Sequence, residues 1–248
     1  VNKGRITAEV NGGAITVQAS AVRNEGVLEA INGSRIYTYN LTNAASGTLR
    51  MSGATSNFYF DNLTKLEDDE TISGEGVLRV HGTLDLQGHA LTAGGVFTSD
   101  LSPTVKNGRL GGTATYQVES GRTLSLESVT LGADLTVADS GRLLVSDGSL
   151  VLDGAAIHLQ SAGSATLLDF AGATPLLTGT GKVLFEGTGA ANWVRPITTN
   201  GVLTIDSGIV IHGPKSGLVG TDTLSRVVSV VNKGRITAEV NGGAITVQ

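Results

Sequence analysis

Along most of the chain, apolar and polar residues alternate one by one for three to five positions and then stop at glycine or asparagine. Gly4-Arg5-Ile6-Thr7-Ala8, Gly26-Val27-Leu28-Glu29-Ala30, Gly82-Thr83-Leu84-Asp85-Leu86 and Gly201-Val202-Leu203-Thr204-Ile205 show the phrase. Strict alternation is the period of a strand with one face buried. The glycine, Asn-Gly and Ser-Gly stops supply corners that need positive φ. Nowhere does apolar spacing of three and four persist for ten residues, so the pattern predicts strands and essentially no helix.

The phrases recur at a fixed distance. Asn2-Lys3-Gly4-Arg5-Ile6-Thr7-Ala8 is echoed by Asn24-Glu25-Gly26-Val27-Leu28-Glu29-Ala30, and again by Asn43 followed by Gly47-Thr48-Leu49-Arg50-Met51. Glycines 4, 26 and 47 therefore stand 22 and 21 residues apart. Two or three short strands within such a period describe one coil of a parallel β-solenoid, an all-β fold, whereas hairpin proteins do not repeat at one distance. The inward residues (Ile6, Ala8, Ile15, Val17, Leu28, Ala30, Leu84, Leu86, Leu124, Leu126) are small or branched, which suits a narrow stacked core. Roughly eleven coils at about 4.8 Å each give a unit about 50 Å long. Residues 52–73, 94–113 and 187–200 depart from the rhythm and are expected to be loops or enlarged coils.

A second repeat is longer and closer. Residues 1–18 read VNKGRITAEVNGGAITVQ and residues 231–248 read the same eighteen letters, a period of 230. Either a tandem array of 230-residue units or a copied terminal segment produces this; the array is the reading taken. On it, 1–230 is one solenoid unit and 231–248 begins its identical successor. The repeat seam then comprises Val1, Asn2, Gly4, Ile6, Ala8, Ile15 and Val17, with Val231, Asn232, Gly234, Ile236, Ala238, Ile245 and Val247 as their copies.

These residues carry a resemblance. N-x-G-x-I-x-A, then an I-x-V strand, then N-x-G-x-L-x-A one coil later, resembles the repeats of filamentous-haemagglutinin-type bacterial adhesins. The likeness is clear over residues 1–51 and 231–248; elsewhere only a looser Gly-x-Leu-x-Leu rhythm is shared, as in autotransporter passengers. With its 230-residue period, the chain is also similar to giant tandem-repeat surface fibre proteins. The resemblance implies a right-handed parallel β-helix shaft, secreted by bacteria and displayed at the cell surface.

Composition narrows the chemistry. The 248 residues include 35 glycines, no cysteine, one methionine and 10 aromatics, with 17 Lys+Arg against 22 Asp+Glu. That balance has no basic cluster, so no nucleic-acid role is expected. No apolar run is long enough for a membrane helix. Zero cysteine removes disulfides, thiolate metal sites and cysteine nucleophiles. The chain opens with Val1 and its methionine is Met51, which points to a segment of something longer.

A test for chemistry finds no ordered catalytic set. His81, His89, His158 and His212 lack metal-ligand spacing, and no G-x-S-x-G elbow occurs, so no catalytic residue, metal or cofactor is expected. The acidic run Glu67-Asp68-Asp69-Glu70 follows the aromatic run Phe58-Tyr59-Phe60. Parallel β-helices also host polysaccharide-degrading enzymes, which place carboxylates beside a sugar groove. Phe58, Tyr59, Asp68, Asp69 and Trp193 are accordingly the glycan-contact candidates for that alternative. Sequons begin at Asn32, Asn40 and Asn62. No amphipathic helix or charged cap pattern stands at either end, and residues 231–248 restart the first coil. The expected function is structural: a non-catalytic, extracellular fibre or adhesin segment. Its expected partners are its own copies, head to tail or laterally, and a host or matrix surface.

Overall fold

Each alternating phrase becomes a strand that turns its apolar residues to a shared interior. The computed structural model describes residues 1–221, 227–240 and 243–248. Among the described residues there are strands throughout and no helix. The fold is a parallel β-solenoid of about 10 turns, about 22 residues per turn. No helix of the described residues is long and apolar enough to cross a membrane. The chain divides into two units, Val1–Tyr116 and Gln117–Gln248.

In the first unit, strands one turn apart pair in parallel and their inward residues stack as ladders. Ile6 lies beside Leu28, and Leu28 beside Leu49. A second ladder runs Ile15, Ile36, Phe58, Leu78, Phe97. A third runs Val22, Leu41, Thr64, Leu84, Val105. Leu28, Ile36, Leu49, Phe58, Leu78, Leu84, Phe97 and Val105 are all fully buried. Each such aliphatic or aromatic side chain contributes about 1.5–3 kcal/mol of transfer free energy. Outward residues between them, such as Tyr37, Tyr59 and Arg79, stay half-exposed.

The departures at 52–73 and 94–113 do not enlarge their coils. Phe58 pairs with Ile36 on one side and Leu78 on the other, each a single ordinary turn away. Leu91 pairs with Leu110, a step no longer than its neighbours. Phe58 and Phe60 take inward places that leucine holds elsewhere, so composition changes there while the period is kept.

Corners explain the sequon asparagines. Asn32, Asn40 and Asn62 adopt φ of 55°, 52° and 61°. Asparagine tolerates this left-handed region better than other non-glycine residues, because its short polar side chain bonds locally. Asn40 Nδ2, for instance, donates to the Ala19 carbonyl at 3.3 Å. Backbone geometry thus accounts for asparagine at all three positions.

The second unit repeats the ladders with longer coils. One ladder runs Leu124, Leu143, Leu168, Val194, Val219, Val247. Others run Val129, Leu150, Leu177, Ile205 and Leu135, Ile157, Val183, Ile211, Ile236. The hydrogen-bonded pair Ser128 and Asp147 spans one turn with a sequence offset of 19. For Arg142 and Asp169 the offset is 27, and for Thr178 and Asp206 it is 28. Ser149–Ser161 and Leu176–Gly187 are strands of 13 and 12 residues that bend through corners instead of stopping at them. Their pairing slips register between Asp153 and Ala156. These longer turns reduce the turn count from the expected eleven to about 10. Enlargement was expected at 187–200 and is found there, yet it extends over most coils of this unit.

Candidate functional site

The seam residues form two coils, residues 1–18 in the first unit and 231–248 in the second. Of the latter, residues 241–242 lie outside the described residues. The two copies fold alike. Arg5–Ala8 and Arg235–Ala238 are both strands, as are Ala14–Val17 and Ile245–Val247. Gly4 N donates to Asn2 Oδ1 at 3.2 Å, and Gly234 N to Asn232 Oδ1 at 3.1 Å. The turn closes through Gly13 N to the Val10 carbonyl at 2.7 Å, and through Gly243 N to the Val240 carbonyl at 3.0 Å.

Their pairing differs in one respect: each copy uses the opposite edge. Residues 1–18 pair toward higher numbers, Ile6 with Leu28, Ile15 with Ile36, Val17 with Thr38, and Asn2 bridges Asn24. Residues 231–248 pair toward lower numbers, Asn232 with Ile205, Ile236 with Ile211, Ile245 with Gly217, Val247 with Val219. The same eighteen residues therefore fit a neighbour on either side, in strands of one register.

Exposure follows from having one paired edge. Ile6, Ile15 and Val17 are half-buried and Val1 is 78% exposed, while their inward counterparts one coil on, Leu28 and Ile36, are at 0%. Two apolar recesses open on this face, lined by Ala8, Val10 and Ile15 and by Ile6, Val17 and Val22. In the other copy, Ile236 and Ile245 are half-buried and Val247 is 51% exposed. Gly4 and Gly26 sit in close register between the first two coils: a Cβ on Gly26 would lie 2.0 Å from the Gly4 carbonyl oxygen.

Asn2 also starts a polar ladder inside the first unit. Its Nδ2 donates to Asn24 Oδ1 at 2.8 Å, and Asn24 Nδ2 donates to Asn43 Oδ1 at 2.7 Å. Asn43 Nδ2 then donates to Glu70 Oε2, while Glu70 Oε1 accepts from the Leu49 amide at 3.4 Å. Asn24 and Asn43 are buried and Glu70 is 8% exposed. Burial pushes the Glu70 carboxyl up to about 7, with the Leu49 and Asn43 hydrogen bonds opposing the rise. Buried amides are tolerated because each finds partners in the coil above or below.

The glycan-contact candidates are divided between the two units, and within the first unit they differ in the direction they face. Phe58 points inward at 0% exposure, edge-on to Phe60, and so offers no ring face to a sugar. Tyr59 faces out, stacked on Tyr37 with centroids 4.3 Å apart. Asp68 and Asp69, on an exposed turn, approach half-buried His89 of the next coil, with one ligand atom from each of the three within 4.8 Å of the others. Asp69 Oδ1 accepts from the Ala90 amide at 2.8 Å. Trp193 belongs to the second unit, under the Arg195 guanidinium at 5.1 Å.

Two charged clusters were not anticipated from the sequence. His81 stands between two carboxylates, Nδ1 2.8 Å from Asp61 and Nε2 2.8 Å from Asp100; Arg79 also pairs with Asp100 at 2.7 Å. In the second unit Asp169, 1% exposed, is held by Arg142 at 2.8 Å and by Arg195 at 2.8 and 3.0 Å. The available signal was the coil period. Asp61, His81 and Asp100 stand on three successive coils, one short turn from each to the next. Arg142, Asp169 and Arg195 do the same with offsets of 27 and 26. Comparison with family models, with curated proteins and with solved structures returned no match.

Proposed function

We propose that this chain is a structural segment of a bacterial extracellular fibre or adhesin shaft, in which solenoid units continue into one another through the repeated eighteen-residue coil. One observation carries this reading. A single sequence is paired through one edge at residues 1–18 and through the other at 231–248, with matching strands. A coil of that sequence flanked on both sides aligns Ile211, then the shared isoleucine, then Leu28. The half-exposed Ile6, Ile15 and Val17 would then be covered from both sides. Heterologous contacts of this kind extend into open filaments unless their rotation closes a ring. Backbone hydrogen bonds along the axis and stacked aliphatic ladders supply the strength, with no catalytic role.

Placement outside the cell is supported by the resemblance of residues 1–51 and 231–248 to secreted haemagglutinin-type shafts. The partners proposed are copies of the same unit, and beyond them a host or matrix surface.

Electron microscopy and fibre diffraction of the native material test the reading. It expects filaments with a meridional reflection near 4.8 Å and an axial repeat of about 50 Å. Short discrete particles with no axial repeat would contradict it.

A further inference from the structure

Parallel strands in register set the outward residues of successive coils directly over one another, so aromatics at one position in two coils become a stack. Tyr37 and Tyr59 are such partners, on the strands Arg35–Asn43 and Asn57–Leu66 of the first unit. Their rings stack with centroids 4.3 Å apart and planes 16° from parallel. Both are half-buried, so part of each ring meets solvent. We propose that Tyr37 and Tyr59 are an oxidative modification site, at which a haem-activated peroxide joins the two rings as a dityrosine staple between adjacent coils.

The chemistry is a two-electron coupling. Each phenol gives up one electron and its hydroxyl proton, and together these reduce one hydrogen peroxide to two waters. The phenoxyl radicals carry spin on the ring carbons beside the oxygen, and one carbon–carbon bond forms between a Cε of each ring. The hydrogen on each coupled Cε then moves to the oxygen as a proton and restores both hydroxyls. The product is the chain less two hydrogens. Holding the rings together turns a bimolecular radical encounter into a step within one molecule.

The surroundings single out this pair among the four tyrosines. Burial raises the Tyr59 phenol above its ordinary 10, and the adjoining Tyr37 hydroxyl adds to the rise, so the two hydroxyl ends lie together. The Arg79 guanidinium stands 5.9 Å from the Tyr59 ring centroid. A cation over the ring opposes loss of an electron from it, so the first electron leaves Tyr37. Tyr39 faces Asp61 on the next coil, which offers no ring to couple with. Tyr116 is 1% exposed, donates to the Gly111 carbonyl at 2.7 Å and packs on Phe97, which has no phenol.

The test treats the full chain with a haem peroxidase and hydrogen peroxide, and reads dityrosine fluorescence, a denaturing gel and the masses of tryptic peptides. Ile36–Arg50 joined to Met51–Lys65, two hydrogens light, is the expected product. A partner on the same chain has an effective concentration in the millimolar range, so at about 1 µM coupling within a chain exceeds coupling between chains by about a thousand-fold. Tyr37→Phe and Tyr59→Phe each remove the joined peptides and lower the fluorescence at least about ten-fold. Phenylalanine keeps a ring in the stack, so unchanged circular dichroism of these variants assigns the loss to the missing phenol. Tyr39→Phe retains the product, which separates Tyr37 from Tyr39 within one peptide. In concentrated urea the coils part and the preference for Tyr37 with Tyr59 disappears.

Dityrosine that forms only between chains, that persists in Y37F or Y59F, or that is lost in Y39F overturns the proposal. So does a chain that yields no joined peptides under conditions that couple free N-acetyltyrosine.

Discussion

Glu70 ends the asparagine ladder of the first unit in a buried, hydrogen-bonded place, and its replacement by glutamine gives a measurable pH signature. The carboxyl's ordinary value of 4.5 is raised to about 7 by burial. A raised carboxyl means that the folded chain holds the proton more tightly than the unfolded chain. The stability it contributes is therefore complete below 4.5 and is lost as pH rises through 7. Raising a carboxyl by one pH unit corresponds to about 1.4 kcal/mol, so ionising Glu70 inside the fold costs up to about 3 kcal/mol. Between pH 5 and pH 8 the expected change is about 2.5 kcal/mol, because part of the proton difference already acts at pH 5. Glutamine keeps the shape and an acceptor for the Leu49 amide but does not ionise. Urea unfolding of the unsubstituted chain and Glu70→Gln at both pH values isolates the effect, since other titrating groups cancel between the two. The variant gains about 2.5 kcal/mol on the unsubstituted chain from pH 5 to pH 8. A difference that stays constant across that range refutes the assignment of Glu70 as a carboxyl forced to ionise inside the coil.

Other consequences follow from the same geometry. Asp169→Ala removes the buried carboxylate that Arg142 and Arg195 share and should destabilise the second unit by about 3 kcal/mol, read by chemical denaturation. Leu168→Ala opens a cavity in a ladder between Leu143 and Val194 and should cost about 2–5 kcal/mol. Gly26→Ala drives a methyl group into the Gly4 carbonyl; amide hydrogen exchange should speed up at Ile6 and Ala8 while staying unchanged in Gln117–Gln248. At the Asn62 corner, glycine should be neutral within about 0.5 kcal/mol, whereas alanine should cost about 1–2 kcal/mol. Equal effects of the two would show that the side chain, not its positive φ, matters there.

Much of this fold was legible because a solenoid writes its inward face directly into the sequence. Leu28 and Ala30 between Val27, Glu29 and Ile31 read as a half-buried strand, and the step from Gly4 to Gly26 reads as one coil. The matching strands of residues 1–18 and 231–248 were legible for the same reason, since identical residues carry the same alternation. What failed was anything dependent on which residue faces which one coil away. Phe58 beside Tyr59 looks like an exposed aromatic run, yet alternation turns one ring into the core and the other out. The long coils of the second unit were hidden because strands such as Ser149–Ser161 turn a corner at Gly154 without breaking off. The clusters around His81 and Asp169 join residues on successive coils, a distance that acquires meaning only once the coil length at that place is known. Asn32, Asn40 and Asn62 carried two signals at once, a glycosylation triplet and a left-handed corner, and the structure shows the corner at all three.

The central claim is that one eighteen-residue coil joins consecutive units by pairing on both edges. Its most direct test is a structure, by electron cryomicroscopy, of a chain in which residues 1–230 are followed directly by residues 1–248. The account predicts one uninterrupted solenoid, the shared isoleucine lying between Ile211 on one side and Leu28 of the following unit on the other. Two separate solenoids, with the shared coil paired on a single edge, would contradict it.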